Sequence, residues 1–159
     1  VISGSVRCFP MKKLEVSAIK EGTVIDQIAS KSTFKVANIL DIQNIDQVVL
    51  IGVNLSSKKL DKKGIIKIGG KKLTQEEVNK IALIAPDATL NIIKDSEVVR
   101  KFQVAIPDTL EGIVKCFNPN CVSNHQVIQS KFHVLVKKPI KIRCHYCERL
   151  MGGDDIELV

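Results

Sequence analysis

Tryptophan is absent from these 159 residues, tyrosine occurs once, and aromatic side chains make up 4% of the chain. Proteins that grip single-stranded nucleic acid by stacking, or read bases with arginine forks, need aromatics and arginines, and arginine here is scarce beside lysine. Long hydrophobic runs are also missing. No window approaches the ~18 apolar residues of a membrane span, and VISGSVRCFP at the start has no apolar stretch suited to a secretory leader. The expected setting is therefore cytoplasmic, with no membrane partner. Residues 1–10 read as a disordered or non-native extension ahead of Met11. There is no glycine-rich phosphate loop, no nucleophile elbow, no paired catalytic carboxylate motif and no open metal site, so an enzyme is not expected.

What is present is cysteine in an unusual arrangement. Four of the five cysteines form two tight pairs, CFNPNC at 116–121 and CHYC at 144–147, and Cys8 belongs to neither. With 45% hydrophobic residues the chain can build a core, which argues against a disulfide-stapled scaffold. In a reducing compartment two such knuckles point their sulfurs at one centre. Cys116, Cys121, Cys144 and Cys147 are thus predicted to hold one structural Zn2+, because four soft thiolates leave no coordination position for water. Unliganded thiols, a redox pair and an iron centre are the alternatives. His145, between two inward-facing cysteines, should face outward. His125 and His133 fall in the intervening segment as surface or strand residues.

The expected fold class is α+β, with an N-terminal ferredoxin-like βαββαβ unit and a small antiparallel β zinc-binding domain. The join is placed near FQVAIPDTLEG, giving domains 1–107 and 108–159. LEVSAI (14–19) reads as the first strand, KEGT as a turn, and Ser30 as the cap of a helix to about Leu40 with Phe34, Ala37, Ile39 and Leu40 inward. DQVVLIGVNL and IIKIGG read as strands joined by a loop, SSKKLDKKG. Thr74 with Glu77 three residues on is a capping box for a second helix that Pro86 ends. ATLNIIK and SEVVRKFQVAI complete the unit as extended segments. The last 50 or so residues have too small a core to be safe alone, so zinc should supply much of their folding energy.

Charge is unevenly placed. Residues 1–107 carry 17 basic and 11 acidic side chains, and residues 108–159 carry 7 and 6. The excess sits in KKLDKKGIIKIGGKK (58–72), away from the predicted metal, whereas a nucleic-acid-binding zinc ribbon needs its own basic face; no nucleic-acid partner is expected. Two explanations of the lysines stay open, a solvated strand edge and a phosphate site.

Taken together, LEVSAIKEGTVIDQI (14–28), APDATLNIIKDSEVVRK (85–101) and the asymmetric pairs CFNPNC and CHYC make the chain, from about Leu14 to its end, resemble the regulatory chains of aspartate carbamoyltransferase of archaeal or bacterial type. That resemblance implies a non-catalytic subunit of pyrimidine biosynthesis, a homodimer that joins catalytic chains and binds nucleotide effectors such as CTP and ATP. By matching positions it implies Val16, Ala18, Ile19, Val24 and Asp26 around base and ribose, Lys67, Asn91 and Ile93 beside them, Lys63 and Lys101 near the phosphates, and Val98 lining the pocket. Lys58, Lys59, Lys71 and Lys72 would face solvent. In the zinc domain, Asn118, Asn120 and Glu148 match positions used against the catalytic chain. Ser17, Gln27 and Ser96 depart from the Glu, His and Tyr that relatives can carry, and the short Ser96 removes a ring contact with the base.

Overall fold

The computed structural model describes residues 19–159; the extension at 1–10, Cys8, and Leu14 to Ala18, with the candidate positions Val16 and Ala18, lie outside the described residues. Strand β1 is Gly22–Ala29, followed by a 3-10 turn and helix α1, Thr33–Ile39. Strands β2 (Val49–Ser57) and β3 (Asp61–Gly69) form a hairpin, α2 spans Gln75–Ile84, and β4 (Thr89–Lys94) turns directly into β5 (Glu97–Gln103). The five strands lie in the order β2-β3-β1-β4-β5, every neighbouring pair antiparallel. This is the ferredoxin-like arrangement, extended by β5 at one edge.

Strand alternation fixes the two faces of the sheet. Ile25, Ile66, Ile68 and Leu90 point to one side and are almost fully buried with Val36, Ala37 and Leu40 of α1 and Ile81 and Ala82 of α2. Both helices therefore cover a single face. The α2 start behaves as its sequence requires: Thr74 Oγ1 accepts from the Glu77 N–H, and the Glu77 carboxylate accepts from the Thr74 N–H.

Four local expectations are corrected. The first described strand is GTVIDQIA, beginning inside the supposed KEGT turn. Gly22 (φ 139°) makes this start feasible, since a Cβ there would lie 2.0 Å from the Ile68 carbonyl oxygen. Phe34 is 63% exposed, and Val36 takes the inward place assigned to it. The Ser30 hydroxyl does not cap α1; it accepts from the Asn54 N–H and donates to the Asn54 side chain, tying β1 to β2. The loop SSKKLDKKG is also mostly strand, only Lys58 to Leu60 lying between β2 and β3.

The remaining chain is strand and turn. β6 (Thr109–Glu111), β8 (Lys131–Lys137), β9 (Ile140–Cys144) and β10 (Leu150–Gly152) form a sheet in the order β10-β9-β8-β6, and β7 (Val114–Lys115) pairs with β11 (Glu157–Leu158). Leu110, Phe132, Ile142 and Met151 are buried between these pieces. Among the described residues no helix is long and apolar enough to cross a membrane.

Candidate metal centre and ligand-binding face

Cys116 follows β7, Cys121 precedes a 3-10 turn, Cys144 ends β9 and Cys147 closes the turn after it. The Cys116 and Cys147 sulfurs are 3.6 Å apart, those of Cys121 and Cys144 3.7 Å, and all four lie within 4.8 Å of one another. Four sulfurs at about 2.3 Å from a tetrahedral Zn2+ stand about 3.8 Å apart, so the two close pairs already match that ion and the wider spacings need to close by at most about 1 Å. The loops are braced for it. The Asn124 amide donates to the carbonyls of Cys116 and Asn118, both at 2.8 Å, and the Glu148 N–H donates to the Cys144 carbonyl. Burial pushes the Cys116 and Cys144 thiols up. Cys147, against the same effect of burial, is held down at about 7 by the Arg149 backbone N–H and by hydrogen bonds from Asn118 and its neighbouring cysteines. A dication at this centre stabilises all four thiolates and crosslinks the two knuckles.

His145 points away from the sulfurs, toward His133, as its position between two inward cysteines requires. Asn120 and Glu148 are exposed, but Asn118 is buried and its side chain accepts from the Asn120 N–H at 3.2 Å, serving the turn itself.

The other site candidates gather on the sheet face that no helix covers. Register places Leu50 opposite Lys67, Lys67 opposite Val24, Val24 opposite Asn91, and Asn91 opposite Lys101. Directly opposed residues share a face, so these five form one row across all five strands, about 14 Å between the strands that carry the two lysines. Among the described residues, Asn91 Oδ1 is buried without a hydrogen-bond partner. Ile93 lies two residues along β4 and faces Val98, which is exposed. Asp26 lies two residues from Val24 and pairs with Lys63, Nζ to carboxylate oxygen 2.8 Å. Ile19 stands at the rim, where the Ser96 N–H donates to the Lys20 carbonyl and the Gly70 N–H to the Glu21 carbonyl. Beside it opens a cavity of about 660 Å³ lined by Ile19, Lys20, Gln47, Val48, Leu50 and Gly70 among others.

Lysines that looked alike in sequence differ here. Among the described residues Lys67 and Lys101 make no ion pair, whereas Lys59 reaches Asp87 at 3.7 Å. Lys71 is not a solvated residue: it pairs with Glu77 at 2.7 Å and donates to the Leu40 carbonyl at 3.1 Å, joining the start of α2 to the end of α1. Leu50, Thr89 and Gln103 also belong to the open face, a membership set by register and carried by no motif.

A ferredoxin-like sheet with both described helices on one face and Lys67 and Lys101 on the other, joined to a closed four-thiolate knuckle domain, defines the class: an α+β protein with a structural metal centre. Residues 14–105 match the family model described as aspartate carbamoyltransferase regulatory chain, allosteric domain, and residues 108–157 match that of its metal binding domain. The chain belongs to the family of aspartate carbamoyltransferase regulatory chains. It is 52% identical to the regulatory chain of Pyrococcus abyssi over 148 residues, covering 92% of this chain and 97% of the relative. It is 54% identical to that of Thermococcus onnurineus over 147 residues, 92% and 97%, and 47% identical to that of Bacteroides fragilis over 146 residues, 92% and 95%. It is accordingly a non-catalytic regulatory subunit with an allosteric and a metal-binding domain, and its four clustered cysteines are a structural zinc site.

Proposed function

We propose that this chain binds nucleoside triphosphate effectors, CTP and ATP, on the helix-free face of its N-terminal sheet and passes their presence to an aspartate carbamoyltransferase catalytic chain docked on its zinc domain. One observation carries the binding reading: Asn91, with a carbonyl oxygen buried and unpartnered among the described residues, stands between Val24 and Lys101 in a row that also holds Lys67, and neither lysine has an ion-pair partner among those residues. A buried acceptor left unsatisfied costs free energy that a donor on a ligand recovers. An exocyclic amino group, which cytosine and adenine both have, is such a donor. Lys67 and Lys101 supply charge for carbonyl and phosphate oxygens, and Val24, Ile93 and Val98 supply apolar contact beside them. Asp26 suits a ribose hydroxyl, with Lys63 at its side, and Ile19 closes the rim; Val16 and Ala18 complete the set carried over from the family motif.

The effector acts by linkage. A nucleotide that binds one quaternary state more tightly shifts the assembly toward it by its differential affinity, ordinarily about 1–3 kcal/mol. Asn120 and Glu148, exposed at the two knuckles, are the surface offered to the catalytic chain, and Asn118 acts by holding the first knuckle in shape. A homodimer through the N-terminal domain agrees with the exposed Val48, Ile51 and Leu55 on or beside the edge strand β2. Calorimetric titration of the zinc-loaded chain with magnesium CTP and magnesium ATP, beside the Lys67→Ala/Lys101→Ala variant, tests the binding step. Saturation near one site per chain that the variant loses supports it, and absence of binding to the folded wild type rules it out.

A further inference from the structure

Three histidines occur in the chain, all in the zinc domain, and none is a zinc ligand. His125 is engaged by the Pro119 carbonyl. His133 and His145 face each other, His133 Nε2 to His145 Nδ1 at 3.2 Å, with ring centroids 5.4 Å apart at 60°. That contact is a hydrogen bond between the rings; two nitrogens bound to one metal at about 2.0–2.1 Å stand roughly 3.0–3.4 Å apart, so an ion that displaces the shared proton requires the rings to turn but not to separate.

The pair is placed by the strands beneath it. On β8, Phe132 points inward and fully buried, so His133 points outward. Cys144 ends β9 inward, and His145 leaves on the opposite side, its backbone N–H fixed to the Lys131 carbonyl at 2.8 Å. The Tyr146 ring stands edge-on to His145, with centroids 5.2 Å apart. The two imidazoles thus meet on the solvent side of β8 and β9 while the thiolates occupy the inner side.

We propose that His133 and His145 form a second metal site, open to solvent, for one borderline divalent ion of the Zn2+, Ni2+ or Cu2+ type. Imidazole selects these ions over Mg2+ and Ca2+, and water fills the remaining positions. Of the cations nearby, Lys131 is paired with Glu111 at 2.8 Å, and Arg143, opposite His133 in register, is the charge that opposes the incoming ion. Two neutral ligands beside an arginine bind more weakly than four thiolates, so the site fills only after the cysteine centre. The inference is independent of the nucleotide reading.

The test uses the full chain with Cys8→Ser, loaded with one Zn2+ and titrated with Ni2+ by calorimetry, with both metals counted by elemental analysis. One Ni2+ per chain is expected, lost in His133→Asn and in His145→Asn and kept in His125→Asn, while zinc stays at one per chain in all. No nickel binding by the parent, or binding that survives in the double His133→Asn/His145→Asn variant, overturns the proposal. Should a variant lose its zinc and unfold, the parent alone decides. Substoichiometric Cu2+ should broaden the ring NMR signals of His133 and His145 before those of His125, and broadening led by any other residue would reject the site.

Discussion

Lys63 Nζ lies 2.8 Å from the carboxylate of Asp26, with only 20% and 24% of the two side chains exposed. The charge of Lys63 is therefore already offset, whereas that of Lys67, in the same strand, is not paired among the described residues, and the proposed nucleotide site should depend on the two unequally. Lys67→Ala should weaken CTP or ATP binding by about tenfold, roughly 1.4 kcal/mol, and Lys63→Ala by distinctly less. Calorimetric titration of both variants at one salt concentration is decisive, and a larger loss for Lys63→Ala would show that the Asp26 pair opens on binding.

Stripping the zinc under reducing conditions should unfold the knuckle domain and spare the N-terminal sheet. Structural zinc binds finger peptides with about 10–16 kcal/mol of apparent free energy, more than a core built on Leu110, Phe132, Ile142 and Met151 replaces. Hydrogen exchange should then accelerate at Phe132 and Ile142 while Ile25, Ile66 and Leu90 stay protected. Uniform protection after verified metal removal would contradict this.

Gly64 is pressed against α1. A Cβ on it would stand 1.9 Å from Thr33 Oγ1 and 2.9 Å from Thr33 Cβ, and that hydroxyl is buried without a partner. Gly64→Ala should cost about 1–3 kcal/mol by overpacking, and adding Thr33→Ala should recover part of it, because the atom met first is gone. Denaturant titration of the single and double variants measures both effects. A fully stable Gly64→Ala chain would mean that α1 yields more easily than this packing allows.

Acid should act on the α2 cap. Burial works against the charged form of Glu77, but the hydrogen bond from Lys71, the Thr74 N–H and the Lys71 charge prevail and hold its pKa below the usual value. A group depressed in the folded state contributes stability above its unfolded pKa, about 4.3, and loses it as pH falls through the folded value. Glu77→Gln should therefore lower stability near neutral pH by about 1 kcal/mol, with the difference from wild type shrinking as pH falls below that range. Equal differences at pH 7 and pH 3 would contradict the linkage.

The sequence carried most where a residue type has one physical use. Paired cysteines and the Thr74 to Glu77 box led to features that the structure contains. The failure at β1 has a cause of its own. Between Ile25 and Ile28 the register shifts, with Gln27 at φ 59°, so two inward residues are three apart and the period of two is broken inside the strand. LEVSAI, which alternates cleanly, drew the strand assignment ahead of it, and all of it but Ile19 lies outside the described residues. The open face was legible only through family resemblance, because its members come from five strands spread along the sequence. The contrast between Lys67 and Lys71 depends on partners distant in sequence, and composition is blind to it.

The bulge at Gln27 also divides β1 into two reading frames. Up to Asp26, even positions belong to the bare face and odd ones to the core; from Ile28 on, the parity is reversed. Val24 and Asp26 can therefore vary without disturbing the core, while Ile25 and Ile28 keep the fold. Loss of one residue between Ile25 and Ile28 would remove the bulge and restore a strict period of two, with both isoleucines kept on the core face and the kink at Gln27 lost.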